Sequence, residues 1–478
     1  MGQRDERRPN LTDLVLDHPF DDEEPLLHDL DRTWRAGEVR REVRSMARRL
    51  ADLGCRERGV AVNLERGAEV VLAMAAVWEA GGVFVPINPR LPDQAVSEVV
   101  SRLRPALMID AEGIHPVDLG PVKGRDAACT VYDQDAAFVL WTSGTSGDPT
   151  PVLNTHEGYL EIIDRVLEPL RGKRATGEGP AKRPTPNLIP VSMALNAGIY
   201  NALFGLRAGA ALVVMDRFTT ADFATLVRRH RIRSTILPPA AMAMLNDDPD
   251  IADLGELKYV RSVTAPLSPF QARRFADRFG VVVLNGYGQA EMGEVIGWTA
   301  ADAREHPDKI GAAGRPHPGV SVRIEAPDAN GVGELVVRPP LVWDDTRRAA
   351  LAGRLTADDH IRTGDLARLD DEGFVWIEGR LGDVINRGGN KVVPTEVEEV
   401  LAALPQVSEA AVVAEPDDRL GQVPVAFVVE RAPVTDQELE QACRAALAPY
   451  KVPVRFERRP TLPRNEVGKL LRRSLDPR

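Results

Sequence analysis

The feature that most restricts the fold is a repeated alternation of short apolar runs with helical segments, and its clearest unit lies between residues 59 and 87. Gly59-Val60-Ala61-Val62-Asn63-Leu64 reads as a strand, Ala68 to Ala80 as a helix apolar on nearly every side and stopped by Gly81-Gly82, and Val83-Phe84-Val85-Pro86-Ile87 as a second strand. Two strands joined by a crossover helix run parallel. Further strand readings follow at residues 106–110, 136–141, 188–191, 211–215 and 234–237. This alternation predicts an α/β fold with mostly parallel sheets covered by helices. Upstream, Val39, Val43, Met46, Leu50 and Leu53 recur at helical spacing beneath an arginine-rich, solvated face.

From about Val320 the texture changes to short strands at 321–324, 333–337, 367–369 and 374–377, the last two joined by the hairpin signal Asp370-Asp371-Glu372-Gly373. They predict a small antiparallel barrel or sheet appended to the α/β part. After Gly379-Arg380 the pattern begins again, with helices at 397–404 and 436–447 and strands at 407–414 and 423–429. The expected division is therefore an N-terminal domain over 1–379 and a small α+β domain over 380–478, since 478 residues exceed what one core supports. A net charge of -11 speaks against a nucleic-acid partner. Cys55, Cys129 and Cys443 stand in no metal-ligand spacing, which fits a reducing cytoplasm. No apolar leader or run of roughly 18 apolar residues appears, so a cytoplasmic location and no membrane partner are expected.

Several stretches carry chemistry. Thr142-Ser143-Gly144-Thr145-Ser146-Gly147 follows the apolar run 136–141, and its glycines free backbone N–H groups to face an anion; it is either a phosphate cradle or a solvated Ser/Gly turn. Asn285-Gly286-Tyr287-Gly288-Gln289-Ala290-Glu291 follows the strand-like run 281–284, so a ring and a carboxylate stand at a strand's C-terminal end, where open α/β sheets bind ligands. By itself the stretch reads first as an Asn-Gly turn with a surface glutamate. Arg362-Thr363-Gly364-Asp365 places a carboxylate in a turn before a strand, as a diol acceptor or a self-capping turn residue. Gly468-Lys469 sets an amine in a loop near the C-terminus.

Taken in this order, with Gly81-Gly82-Val83-Phe84-Val85-Pro86, Thr264-Ala265-Pro266 and the run Gly379-Arg380-Leu381-Gly382-Asp383, these stretches resemble the adenylate-forming superfamily of acyl-CoA synthetases, free-standing adenylation domains and luciferases. The resemblance implies a large N-terminal domain with a small mobile C-terminal one. It also implies a reaction in which ATP and a carboxylic acid give an acyl-adenylate and pyrophosphate, and a thiol of coenzyme A or of a carrier-protein phosphopantetheine then takes the acyl group. By the matching positions, Thr142, Ser143, Gly144, Thr145, Ser146 and Gly147 would hold the ATP tail and Glu291 a Mg²⁺ ion. Tyr287 would stack on adenine, with Thr264, Ala265, Gly286 and Gly288 around the nucleotide and Asp365 and Arg380 at the ribose. Lys469 would bridge the acyl carboxylate and the α-phosphate. Gly382 maps to the hinge of the small domain, and Arg387, Gly388 and Gly389 to the thiol tunnel. Met193, Asn196, Ala197, Tyr200 and Met292, with Gly286, Thr264 and Ala265, are the acyl-pocket candidates, whose small and polar character suggests a compact or aromatic acid.

Three positions depart from the superfamily's pattern. Thr150 stands where a lysine usually contacts the terminal phosphates, Ala290 where a threonine usually faces the α-phosphate, and the segment 190–198 has no histidine beside the acyl pocket. One lost charge-assisted contact costs on the order of 1.5–3 kcal/mol, which slows a reaction without abolishing it. The leading expectation is an ATP-dependent acid–thiol ligase. The alternatives are a branch that passes an activated acid or nitrite to a nitrogen nucleophile, and a nucleotide-binding protein without turnover.

Overall fold

The computed structural model describes residues 9–119, 129–143, 149–172, 183–262, 265, 267–289, 292–340, 351, 353–464 and 470–475. The chain forms two compact units, one of Met1–Leu237, Asp248–Val260 and Gln289–Gly293, the other of Pro238–Asp247, Arg261–Gly288 and Glu294–Arg478.

In the first unit the expected β-α-β unit is present as strand Gly59–Val62, helix Gly67–Glu79 and strand Val83–Pro86. The two strands pair in parallel, Gly59 opposite Val83 and Val62 opposite Pro86. The helix is buried from Gly67 to Trp78 except at Glu69, which is what an apolar character on nearly every side requires. The Trp78 side chain donates Nε1–H to the Ala137 carbonyl at 2.7 Å. The sheet runs in the order Gly113–Pro116, Leu107–Asp110, Gly59–Val62, Val83–Pro86, Ala136–Ser143, Pro149–Thr155. Its centre is parallel, and both edge strands are antiparallel additions that the sequence reading did not separate. A second set of strands in this unit follows the order Ser234–Ile236, Asn187–Ile189, Leu212–Val214, Pro25–His28, Thr33–Arg35, parallel except at the last pair.

Helix Gly67–Glu79 comes so close to strand Leu212–Val214 that a Cβ on Gly67 would lie 2.5 Å from Val214 Cγ1. The free N–H of Gly67 is satisfied by Asp216 Oδ1 at 2.7 Å. Among the described residues, no helix is long and apolar enough to cross a membrane.

His156 is buried in this unit, and the Leu11 N–H donates to its Nδ1 at 3.1 Å, so the neutral ring carries its proton on Nε2. Burial lowers its pKa to about 4, and burial likewise lowers His18 and His28 to about 4. A depressed folded-state pKa means that the unfolded chain takes up protons first as the pH falls. Stability should therefore be full above pH 6.5 and decline between 6.5 and 4, by roughly 1–3 kcal/mol for His156. Thermal melts between pH 7.5 and 4.5 should show this decline, and His156→Gln should flatten it. An unchanged profile in the variant would remove His156 from the account.

In the second unit, strands Ser321–Glu325, Gly333–Arg338, Ile361–Leu369 and Val375–Arg380 form the expected antiparallel sheet. Beyond it, strand Val407–Asp417 pairs with Gly421–Glu430 along its whole length, which exceeds both expected strands. The two faces of that hairpin belong to different clusters. Val412, Ala426 and Val428 pack with Val397 and Leu401 of helix Pro394–Ala402 and with Leu439 and Cys443 of helix Asp436–Ala446. Ala411, Val413, Val425 and Phe427 pack instead with Leu462, Leu470 and Leu475. The alternation follows from the two-residue period of a strand.

Candidate active site

Asp365 is the best-defined candidate. It lies within strand Ile361–Leu369 and not in a turn before it, which corrects the sequence reading. The turn chemistry is nevertheless present, folded into a bulge: the pairing register with Gly333–Arg338 shifts here, and Gly364 takes φ +71°, which glycine adopts without strain. Thr363 Oγ1 donates to the Leu335 carbonyl at 2.7 Å and accepts the Asp365 N–H at 3.1 Å, while the Gly364 N–H reaches Glu334 Oε1 at 3.2 Å. The Asp365 carboxylate, 5% exposed, accepts the Tyr287 hydroxyl at 2.6 Å on Oδ2 and Arg380 Nε at 2.9 Å on Oδ1. Asp365 and Arg380 are direct cross-strand partners.

Three residues far apart in sequence thus form one chain of hydrogen bonds. Burial, reinforced by the Asp365 charge, pushes the Tyr287 phenol well above its ordinary pKa, so the hydroxyl stays protonated and donates. The bond fixes the orientation of the ring. A carboxylate acceptor, a held aromatic face and a guanidinium make a donor set that suits a nucleoside.

Strand Val282–Gln289 continues through the stretch read as a possible Asn-Gly turn. Asn285 is engaged instead, with Nδ2 on the Ala312 carbonyl at 3.2 Å and Oδ1 accepting the Gly286 N–H at 3.0 Å. Alternation along the strand puts Gly286 and Tyr287 on opposite faces. Gly288 is exposed and Ala265 half-buried.

In the first unit Met193 is buried and lines a cleft with Val62, Asn88, Arg90, Ser192 and Asp216. The cleft lies beyond the C-terminal ends of the parallel strands Gly59–Val62, Val83–Pro86 and Leu212–Val214, where α/β sheets place ligands. Asn196 and Tyr200 lie one turn apart on helix Asn196–Arg207 and meet around a residue the sequence reading missed, Tyr159. Its hydroxyl donates to Asn196 Oδ1 at 2.7 Å, and its ring stands edge-on to Tyr200 at 6.4 Å. Burial first, and Tyr200 second, push the Tyr159 phenol well above its ordinary pKa. The Ala197 carbonyl accepts Asn201 Nδ2 at 2.7 Å, and Met292 is fully buried.

Thr142 and Ser143 end strand Ala136–Ser143 and pair with Thr150 and Pro149 of the antiparallel strand Pro149–Thr155. Gly144, Thr145, Ser146, Gly147, Thr264, Glu291 and Lys469 lie outside the described residues. The flanks of Lys469 are held: Arg464 bridges Leu470, the Leu471 N–H donates to the Pro463 carbonyl at 2.9 Å, and Leu462 and Leu470 pack on the hairpin face. Arg472, next along, donates to Glu398 through both terminal nitrogens, to the Val412 carbonyl at 3.1 Å, and pairs with Asp383 at 3.4 Å. It links the segment after Lys469 to the residue after Gly382.

Gly382 lies in the 3-10 turn Leu381–Asp383 with open space where a Cβ would stand, so this conformation does not itself demand glycine. Gly388 and Gly389 take φ +57° and +90° in the turn between Ile385–Arg387 and Asn390–Val392, a conformation that favours glycine. Arg387 is turned onto the carbonyls of Tyr450 and Val452 at 2.8 and 3.1 Å.

The model of the AMP-binding enzyme matches residues 18–344, and that of the AMP-binding enzyme C-terminal domain matches 396–469. The chain belongs to the AMP-binding enzyme family. The family match and the ligases among its relatives make it an ATP-dependent, AMP-forming ligase. A 2-succinylbenzoate–CoA ligase of Bacillus cereus is 30% identical over 466 residues, covering 92% of each chain. 4-Coumarate–CoA ligase 5 of Oryza sativa subsp. japonica is 28% identical over 487 residues, covering 93% of this chain and 89% of the relative. The structure of o-succinylbenzoate CoA synthetase from Bacillus subtilis, in complex with its acyl-adenylate intermediate, superposes with a TM-score of 0.81 at 25% identity, covering 98% and 99% of the two chains.

Proposed function

We propose that this AMP-binding enzyme activates a small or aromatic carboxylic acid as its acyl-AMP and passes the acyl group to the thiol of coenzyme A. The observation that carries the site is the Tyr287–Asp365–Arg380 constellation, assembled from three strands around a buried carboxylate. In this reading the ribose hydroxyls donate to Asp365, and the Tyr287 ring, held by its hydroxyl, stacks on adenine. Thr142, Ser143, Gly144, Thr145, Ser146 and Gly147 hold the phosphate tail. The acid's carboxylate oxygen attacks the α-phosphorus, the bond to pyrophosphate breaks, and Lys469 offsets the charge that develops there. A Mg²⁺ ion held by Glu291 would neutralise charge on the departing pyrophosphate. The thiol then attacks the acyl carbon and AMP leaves. The small-domain boundary is placed at 379/380, supported by clusters closed among residues 385–475 and by the separate C-terminal family match.

Coenzyme A is the favoured acceptor because the relatives compared above are named as CoA ligases. The test is pyrophosphate release from ATP across a panel of acids, with thiol consumption measured in parallel. Acid-dependent release followed by CoA-dependent AMP release supports the reading. Release only when nitrite and an arylamine are supplied together would move the protein to nitrogen transfer, and tight ATP binding without any release would leave a non-catalytic homologue.

A further inference from the structure

Glu294 belongs to no motif, yet it is a densely held carboxylate beside the Gly286 candidate. Its side chain is 11% exposed, and Oε1 accepts from Arg261 Nη1 and from His317 Nε2, the latter at 3.0 Å. Both bonds fall on Oε1, and no described residue donates to Oε2. Two glycines make room for the group. A Cβ on Gly297 would lie 2.6 Å from Oε1 and 3.0 Å from His317 Cε1, and a Cβ on Gly286 would lie 3.2–3.4 Å from the carboxyl atoms. The carboxyl group therefore occupies the space that a side chain at position 286 would fill, on the strand face opposite Tyr287. Burial alone would push its pKa up, but Arg261 and His317 outweigh burial and hold the carboxyl below its ordinary range.

We infer that Glu294 is a specificity-determining residue, its Oε2 accepting a neutral N–H or O–H donor on the tail of the acid. The inference rests on the proposed acid activation and on Gly286 lining the acyl pocket. Arg261 already balances the charge of Glu294, so the site does not call for a cationic tail. Oε2 keeps an open acceptor position, and a bound acid that covered it without offering a donor would leave a buried polar atom unpaired, which is costly. An acid with a ring amine or phenol supplies one, and the unsubstituted acid does not. A site built around a donor rejects the analogue lacking it far more strongly than an apolar pocket rejects a missing methylene.

The experiment compares benzoic and cinnamic acids with their ring-amino and ring-hydroxy forms, by acid-dependent pyrophosphate release in the full-length protein. The wild type should favour donor-bearing acids at least about tenfold in kcat/KM. Glu294→Gln should reduce that preference by about tenfold while leaving the KM for ATP unchanged. The wild-type comparison is informative even if the variant fails to fold, since equal kcat/KM across the matched acids overturns the inference without touching acid activation. A wild-type preference that Glu294→Gln preserves overturns it as well. No release with any acid, under conditions where ATP binds, withdraws acid activation and this inference with it. The amino and hydroxy arms separate the two donor types.

Discussion

Replacing Lys469 with alanine should lower acyl-adenylate formation by roughly 10²–10³-fold or more while ATP still binds, because in the proposed mechanism the change removes a point charge from the developing transition state and little from the ground state. The described residues on either side of the lysine are held in place. Leu462 and Leu470 are anchored on the hairpin face that carries Phe427, and Arg472 is held by Glu398 and the Val412 carbonyl. These contacts do not depend on the amine, so the variant should keep the fold. Single-turnover pyrophosphate release measures the first half-reaction, and equilibrium binding of ATP measures the ground state. A second assay, thioester formation from a supplied acyl-adenylate, should be far less affected. Retained adenylation in Lys469→Ala would remove the lysine from the chemistry.

The sequence made the parallel core legible because its period changes sharply between strand and helix, and the apolar ring around residues 68–80 could only be buried on all sides. It was less informative where one residue type serves two structures. Gly364 and Asp365 look like a turn, and the bulge uses the same freedom at positive φ, so local chemistry could not place them inside a strand. Asn285-Gly286 looked like a turn for the same reason, but Asn285 is spent on the Ala312 carbonyl and its own neighbour, and the strand runs on. Tyr159 and Glu294 were missed outright. Each acquires its role from partners distant in sequence, Asn196 in one case and Arg261 and His317 in the other, and no spacing rule reports such pairings. The ligand stretches were readable only jointly, because each alone also fits a solvated turn or surface residue.

Asp365→Ala should raise the KM for ATP about 10–100-fold and leave the KM for the acid nearly unchanged, since the lost contacts are charge-assisted hydrogen bonds worth about 1.5–3 kcal/mol. Part of the effect would be indirect. The carboxylate also holds the Tyr287 hydroxyl at 2.6 Å and Arg380 at 2.9 Å, so its loss frees the ring that is proposed to stack on adenine. Arg380 is 34% exposed, and water can replace much of what it loses, so the stability cost should stay near 1–2 kcal/mol and not reach the figure for a fully buried broken pair. Tyr287→Phe separates the two contributions: it removes the ring's tether but leaves the carboxylate for the ribose. Comparing ATP with 2′-deoxy-ATP then isolates the sugar. Wild type and Tyr287→Phe should both prefer ATP, whereas Asp365→Ala should lose the preference, because the residue that distinguishes the two nucleotides is gone. If Asp365→Ala still discriminates against 2′-deoxy-ATP as strongly as the wild type, the ribose does not bind at Asp365. The buried carboxylate would then serve only to fix Tyr287 and Arg380.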